Sequence, residues 1–346
     1  MKRKGLILEK SGDEVYRFLS GFVDLESDTT LVVSTTNVFN ILNHQGPITS
    51  IVNLSRNNDI RFLNKFFETV NLKLKKNHVF ICCFETFSSR RKRKKIGRWP
   101  VIRLIYFFME FIFMRVFPKL PVFKKFYFFF TGGRNRLLSK AEVLGRLASC
   151  GFEICDYNSF NGLMYVVSKK IEMPAFNMNP SYGPLYKMPR MGKDGKIIGV
   201  YKFRTMHPYA EYLQDYILRI HGYAESGKPA NDFRLTPWGL LLRKYWLDEL
   251  PQLINVLKGE LKLVGVRPIS KRYFDDIPKD LQELRLKQKP GCIPPYVALN
   301  RRSSVDAVVE AEREYLLEKI KHPYTTDTRY FFKAIFNIIF RRKRSA

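Results

Sequence analysis

The chain has 346 residues, enough for two modest domains, each with a core of its own. Lys and Arg number 60 against 32 Asp and Glu, a formal charge of +28 that calls for an anionic partner, and 29 Phe beside that charge suit a membrane surface better than nucleic acid. Five Cys without a Cys-x-x-Cys pair exclude a disulfide frame and a zinc site; there is no uncharged apolar run of about 18 residues to span a membrane, and no apolar stretch behind Met1-Lys2-Arg3-Lys4 to form a secretory leader.

Along the chain, Thr29–Ser34, Ile48–Leu54 and His78–Phe84 are short apolar runs rich in β-branched or aromatic residues, with helical periodicity over Asp59–Leu72. This strand–helix–strand alternation predicts part of a parallel sheet. An insertion follows at 90–131. Arg90–Lys95 is wholly basic, and Trp99–Phe117 is apolar except for Arg103, Glu110 and Arg115. Pro118 and Pro121 break the run, and Val122–Phe130 is aromatic with Lys124 and Lys125 inside it. That pattern predicts an interfacial or re-entrant element; the alternative is a buried helix pair under a solvated basic loop. Residues 139–153 read as a helix with Ser139 as cap, Glu142 in the capping-box position and Gly151 as the stop, before a strand at Leu163–Ser168.

In the second half, Asp194-Gly195 predicts a hairpin turn whose returning strand is Ile197–Phe203. Arg234 pairs Asp232 to hold a loop, and His207 reads as a polar loop residue. Trp246-Leu247-Asp248-Glu249-Leu250-Pro251-Gln252-Leu253 sets two adjacent carboxylates at the expected start of a helix, with Pro251 in the first turn and Leu250, Leu253, Ile254 and Leu257 at helical spacing. A helix start offers unpaired N–H groups and a positive dipole end. Side chains about 100° apart do not share one target, so one carboxylate can reach a phosphorus atom while the other holds a metal ion. Taken alone, such a pair reads first as an N-cap Asp beside a solvated Glu; it is the surrounding segment that favours the chemical reading. Arg267, after Gly265 and before Pro268, sits on an extended turn that aims it into a cleft. The tail Tyr330–Phe340 puts Lys333 and Asn337 on one face and Phe on the rest, ahead of Arg341-Arg342-Lys343-Arg344; it is either a second surface-binding helix or a core-packed one.

The blocks Tyr201-Lys202-Phe203-Arg204-Thr205-Met206, Asp232-Phe233-Arg234-Leu235-Thr236-Pro237, Arg243, Asp248-Glu249-Leu250-Pro251-Gln252, Val264-Gly265-Val266-Arg267-Pro268 and Lys289-Pro290-Gly291 keep their order across about 184–301. In this the chain resembles the bacterial sugar transferases, the monotopic polyprenyl-phosphate phosphoglycosyl transferases. The resemblance implies transfer of a sugar-1-phosphate from a UDP-sugar to undecaprenyl (polyprenyl) phosphate with release of UMP, to begin a surface polysaccharide. It implies Asp248 as nucleophile and Glu249 as the Mg2+ ligand, with Lys202, Arg243, Arg267 and Arg301 at basic substrate-binding positions. It also implies a monotopic or peripheral place on the cytoplasmic face of the bacterial inner membrane; self-association stays open. The chemistry agrees: a carboxylate attacking a diphosphate needs magnesium and cations to quench the phosphate charge.

The expected architecture is an α/β N-terminal part over 1–172, partly Rossmann-like and faintly resembling the later half of a methyltransferase, then an α+β, helix-rich transferase domain over 173–346 with membrane-associated helices. No Gly-x-Gly-x-x-Gly occurs in the first part, so no cofactor site is assigned there. The chain departs from the family pattern in four ways. Met173–Tyr182 reads as a loop where the family has a re-entrant helix, and the Arg103–Phe130 insertion is the substitute anchor, far upstream. Val266 stands in the family's Gly-Pro-Arg-Pro, and Cys292–Asn300 replaces its Thr-Gly and Gln-x-Asn-Gly segment. The altered 292–300 segment and the missing adjacent anchor motivate the alternative, a noncatalytic relative acting as a membrane-surface assembly partner.

Overall fold

A computed structural model describes residues 2–94, 96, 99–176, 183–222, 229–301 and 304–341; Lys95 of the basic run, 177–182 of the expected loop and 342–344 of the basic tail lie outside them. The chain divides into two compact units, Met1–Tyr182 with His207–Arg234, and Gly183–Met206 with Leu235–Ala346. Both are mixed α/β.

The first unit runs α1 (Lys2–Ser11), α2 (Asp13–Ser20), β1 (Thr30–Val33), α3 (Phe39–Leu42), β2 (Ser50–Arg56), α4 (Leu63–Lys73), β3 (Val79–Phe84), α5 (Phe87–Arg93), α6 (Pro100–Phe111), α7 (Pro121–Thr131), α8 (Lys140–Ser149), β4 (Phe152–Phe160) and β5 (Leu163–Lys170), with α9 (Gln214–His221) in the later segment. The sheet order is β1-β2-β3-β5-β4. The first three strands are parallel, as alternation predicts, but β5 runs against both neighbours, so the sheet is mixed. Period-two alternation makes two cores from one strand: Phe80, Cys82 and Phe84 of β3 join one cluster, Ile81 and Cys83 the other. The Ser139 hydroxyl accepts from the Glu142 N–H at 3.2 Å, the expected cap. The helix, however, stops at Ser149, and Gly151 (φ 81°) turns the chain into β4, which the periodicity misses. As an edge strand β4 is inward-facing only at Phe152 and Ile154, too short an apolar signal to announce itself.

The 90–131 insertion forms α6, a π-helical turn at Ile112–Val116, and α7. It is no buried helix pair: Val101, Leu104, Phe108, Phe126, Phe129 and Phe130 are exposed, Phe129 at 83%. Glu110 and Arg115 turn inward instead, while Arg103, Lys124 and Lys125 stay exposed. Glu110 accepts from Arg90 at 3.0 Å and pairs with Lys94, and Arg115 pairs with Glu142 at 2.9 Å and donates to the Leu137 carbonyl. Buried charges persist only when paired in this way. No helix among the described residues is long and apolar enough to cross a membrane.

The second unit holds β6 (Leu185–Met191), β7 (Ile197–Phe203), α10 (Pro237–Lys244), α11 (Gln252–Leu257), β8 (Lys262–Val264), α12 (Lys271–Asp276), α13 (Lys279–Leu286), β9 (Gly291–Ile293), α14 (Pro295–Ala298), α15 (Val305–Lys321) and α16 (Thr326–Phe340). The β6–β7 hairpin turns on Asp194 (φ 55°) and Gly195 (φ 73°), as predicted. Its core gathers Tyr296, Tyr315 and Tyr330 with Val264, Val266 and Leu281. In α16 the expected polar face is split: Lys333 is exposed but Asn337 points inward, donating to the Val297 and Ala298 carbonyls at 3.0 and 2.8 Å, while Phe332, Phe336 and Ile339 are exposed.

Candidate active site

The two carboxylates lie one step ahead of the expected helix. Leu247–Glu249 form a 3-10 turn entered through Trp246 in the left-handed region (φ 59°), and α11 begins only after Pro251. The amphipathicity of α11 is inverted. Its apolar residues Leu253, Ile254 and Leu257 are exposed, Leu257 at 89%, as is Leu250 just ahead of it, and its inward residues are Gln252 and Asn255. Asn255 is fully buried: its Oδ1 accepts from the Tyr201 N–H at 3.0 Å, and its Nδ2 donates to the Gly199 carbonyl at 2.8 Å and to Glu260 at 2.6 Å. One side-chain amide thus stitches α11 to β7, the strand that carries Lys202.

The pleat of the hairpin brings the rest. Met188 pairs with Val200 and Tyr186 with Lys202, so Met188, Arg190, Val200 and Lys202 share one face, and all four line a cavity of about 310 Å³. Glu249, Gln252, Arg267, Tyr273 and Glu312 line it too. Glu249 Oε1 accepts from Lys202 Nζ at 2.7 Å and from Arg267 at 3.4 Å, and its Oε2 accepts from Gln252 at 2.8 Å. Gly265 and Gly291 meet back to back where β8 runs beside β9, and a Cβ on Gly291 would strike the Gly265 amide. That close approach sets the start of the Arg267 turn, which buried Glu312 then fixes, accepting from the Arg267 N–H at 3.2 Å while Arg285 pairs with Glu312 and donates to the Arg267 carbonyl.

The two carboxylates differ electrostatically. Burial pushes the Asp248 carboxyl above the usual range; Lys202 and Arg243 pull against it, and the Glu249 charge adds to the push. Burial also acts to raise Glu249, but Lys202 and Arg267 together outweigh it and hold that carboxyl below its ordinary value. Lys202 therefore acts on both, Arg267 on Glu249, and Arg243 on Asp248. Burial, with Glu249 nearby, pushes the Cys292 thiol up to about 12, so it stays protonated.

Of the residues singled out from the sequence, Lys202, Glu249 and Arg267 meet in the cavity. Asp248 stands half-buried on the same turn, and Arg243 is tied through Nε to the Thr205 hydroxyl at 3.1 Å. Arg301 is elsewhere: it forks onto Glu310 and Glu314 of α15 and does not line the cavity. Arg234 does hold its loop, bidentate on Asp232, and His207 meets Arg115 within the first unit. Sequence reasoning passed over Gln252, Arg190, Glu312 and Arg285. The first was legible three residues after Glu249 and the second by strand alternation with Lys202; Glu312 and Arg285, far along the chain, had no local signal.

A family model described as bacterial sugar transferase matches residues 161–341. The chain is 47% identical over 116 residues to an uncharacterized sugar transferase of Haemophilus influenzae, covering 31% of this chain and 24% of that protein. It is 40% identical over 119 residues to the undecaprenyl-phosphate galactose phosphotransferase of Salmonella typhimurium, covering 32% and 24%. Against the uncharacterized sugar transferase EpsL of Bacillus subtilis it is 36% identical over 140 residues, covering 40% and 58%. The matched stretch spans about a quarter of the length of the first two relatives.

Proposed function

The chain belongs to the bacterial sugar transferase family, and from that premise we propose that it transfers a sugar-1-phosphate from a UDP-sugar to a polyprenyl phosphate, releasing UMP, as the opening step of a surface polysaccharide. The observation that carries this reading is the pairing of unlike carboxylates on one turn, with Glu249 in a cavity beside Lys202 and Arg267 and Asp248 next to it.

In this reading a carboxylate oxygen of Asp248 attacks the phosphorus that bears the sugar. The bond from that phosphorus to the bridging oxygen breaks, and its electron pair leaves with UMP. An oxygen of the polyprenyl phosphate then attacks the same phosphorus, breaking the acyl-phosphate bond and restoring the Asp248 carboxylate. Burial raises the basicity of Asp248 and so its nucleophilicity, while Lys202, Arg243 and Arg267 hold the phosphate oxygens. Among the described residues no cluster of three or more His, Cys, Asp and Glu could cage a metal, but magnesium takes one or two carboxylates with phosphates and water, and Glu249 fits that smaller donor set. When bound there, magnesium would neutralise charge on the diphosphate.

We assign the acceptor's lipid side, and a monotopic or peripheral contact with the cytoplasmic face of the membrane, to the apolar surface of α10 and α11 in the second unit and of α6 and α7 in the first. Leu240, Leu241, Leu250, Leu253 and Leu257 present apolar side chains outward near the carboxylates, and the α6–α7 Phe residues do the same in their own unit. The test is UMP release by detergent-solubilised protein given magnesium, undecaprenyl phosphate and UDP-sugars. Asp248→Asn and Glu249→Gln are each expected to abolish release with the fold intact by circular dichroism, and Asp248→Asn to leave the melting curve unchanged. Release untouched by Asp248→Asn overturns the covalent step; no release by the unmodified chain with any donor favours a noncatalytic assembly role.

A further inference from the structure

A second cavity, of about 510 Å³, opens in the first unit where α4, α7 and α8 meet the π-helical turn after α6. Six cations line it, Arg61, Lys65, Arg115, Lys124, Arg136 and Arg146, against two carboxylates, Glu68 and Glu142. Glu142 is spent on Arg115 and Arg146 at 2.9 and 2.8 Å. Lys65 and Lys124 have no ion pair or side-chain hydrogen bond among the described residues, and Arg61 lies over the Phe128 ring at 5.0 Å. Cationic charge is therefore in excess, and Phe62, Met114, Pro118 and Phe128 supply apolar wall beside it.

We propose that this cavity takes the phosphate headgroup of an anionic membrane lipid. The charge excess selects a phosphate. The apolar wall, of which Met114, Pro118 and Phe128 belong to the same α6–α7 hairpin that exposes Phe126, Phe129 and Phe130, selects a phosphate joined to an acyl or prenyl chain over a free ion. The inference rests on the membrane contact proposed above and names its lipid chemistry; it is independent of phosphosugar transfer.

The test is partition of the full-length chain onto vesicles of phosphatidylcholine with and without phosphatidylglycerol. The variants are Lys65→Gln with Lys124→Gln, and a control, Lys75→Gln with Lys76→Gln, which removes the same charge about 15 Å away past the far end of α4. All four lysines are exposed, so both variants are expected to melt as the parent does. The cavity pair is expected to lose roughly twenty- to thirty-fold in partition onto the anionic vesicles, and the control pair less than about threefold. Equal losses in the two variants overturn the cavity in favour of diffuse attraction. Partition unmoved by the cavity pair overturns this inference alone. A chain that binds neither vesicle overturns the membrane contact and this inference with it. Saturable binding of inorganic phosphate, lost in the cavity pair without change in vesicle partition, overturns the lipid assignment.

Discussion

The inverted helix α11 makes a sharp prediction. On an ordinary amphipathic helix, replacing a polar residue by Leu is neutral and replacing Leu by a polar residue is costly. Here the order reverses. Asn255→Leu deletes two neutral hydrogen bonds, worth about 1 kcal/mol each, and one to the Glu260 carboxylate worth about 2 kcal/mol. Leucine burial returns about 1 to 2 kcal/mol, for a net loss of about 2 to 3 kcal/mol. Leu257 is already 89% exposed, so Leu257→Gln puts at stake about a tenth of a leucine's burial energy, below about 0.3 kcal/mol. Urea unfolding of the full chain, with amide hydrogen exchange over Ile197–Phe203, reads both. Asn255→Leu is expected to speed exchange of those strand amides on the order of a hundredfold, and Leu257→Gln to leave it alone while weakening vesicle partition. A neutral Asn255→Leu together with a Leu257→Gln that costs more than about 1 kcal/mol would refute the outward-facing apolar surface and the membrane contact built on it.

Because burial raises the Asp248 carboxyl, the acid limb of transfer is expected at a pH above the ordinary Asp range, activity falling as pH drops through that raised value. Arg243→Gln, which removes a cation favouring the carboxylate, moves the limb further up; a downward shift contradicts the assignment. Glu249 works the other way on stability: its depressed value makes its contribution present above the ordinary Glu range and lost as pH falls through the lower folded value, so Glu249→Gln is expected to flatten the acid side of the melting profile. Glu312→Gln, which loosens Arg267, is expected to cut kcat roughly ten- to a hundredfold; a lowered melting temperature with kcat intact would leave Glu312 a purely structural role. In the first unit, Glu142→Gln strands Arg115 and Arg146 in a buried site and is expected to cost about 3 to 5 kcal/mol, read by calorimetry, with a change below about 1 kcal/mol counting against that network.

What was legible in the sequence was local. The strands β1, β2, β3 and β5 of the first sheet, the Ser139 cap, the Asp194-Gly195 hairpin, the Arg234–Asp232 loop and the ordered blocks around Asp248 each rest on spacing over a few residues, and such spacing fixes period, turn type and residue chemistry. Tertiary structure decided which face turns inward. On α6–α7, α11 and α16 the polar residues Glu110, Asn255 and Asn337 point in while Phe108, Phe129, Leu253, Leu257, Phe332 and Phe336 point out, because the inward neighbours are Arg90, the β7 backbone and two carbonyls that only a polar side chain can satisfy. Periodicity locates a stripe but is silent on the polarity of what the stripe meets. The same limit separates Arg301 from the cavity and brings Glu312 to it with Arg285 behind: salt bridges such as Arg285–Glu312 and Arg301–Glu314 are properties of the packed chain, with no period for a sequence to carry.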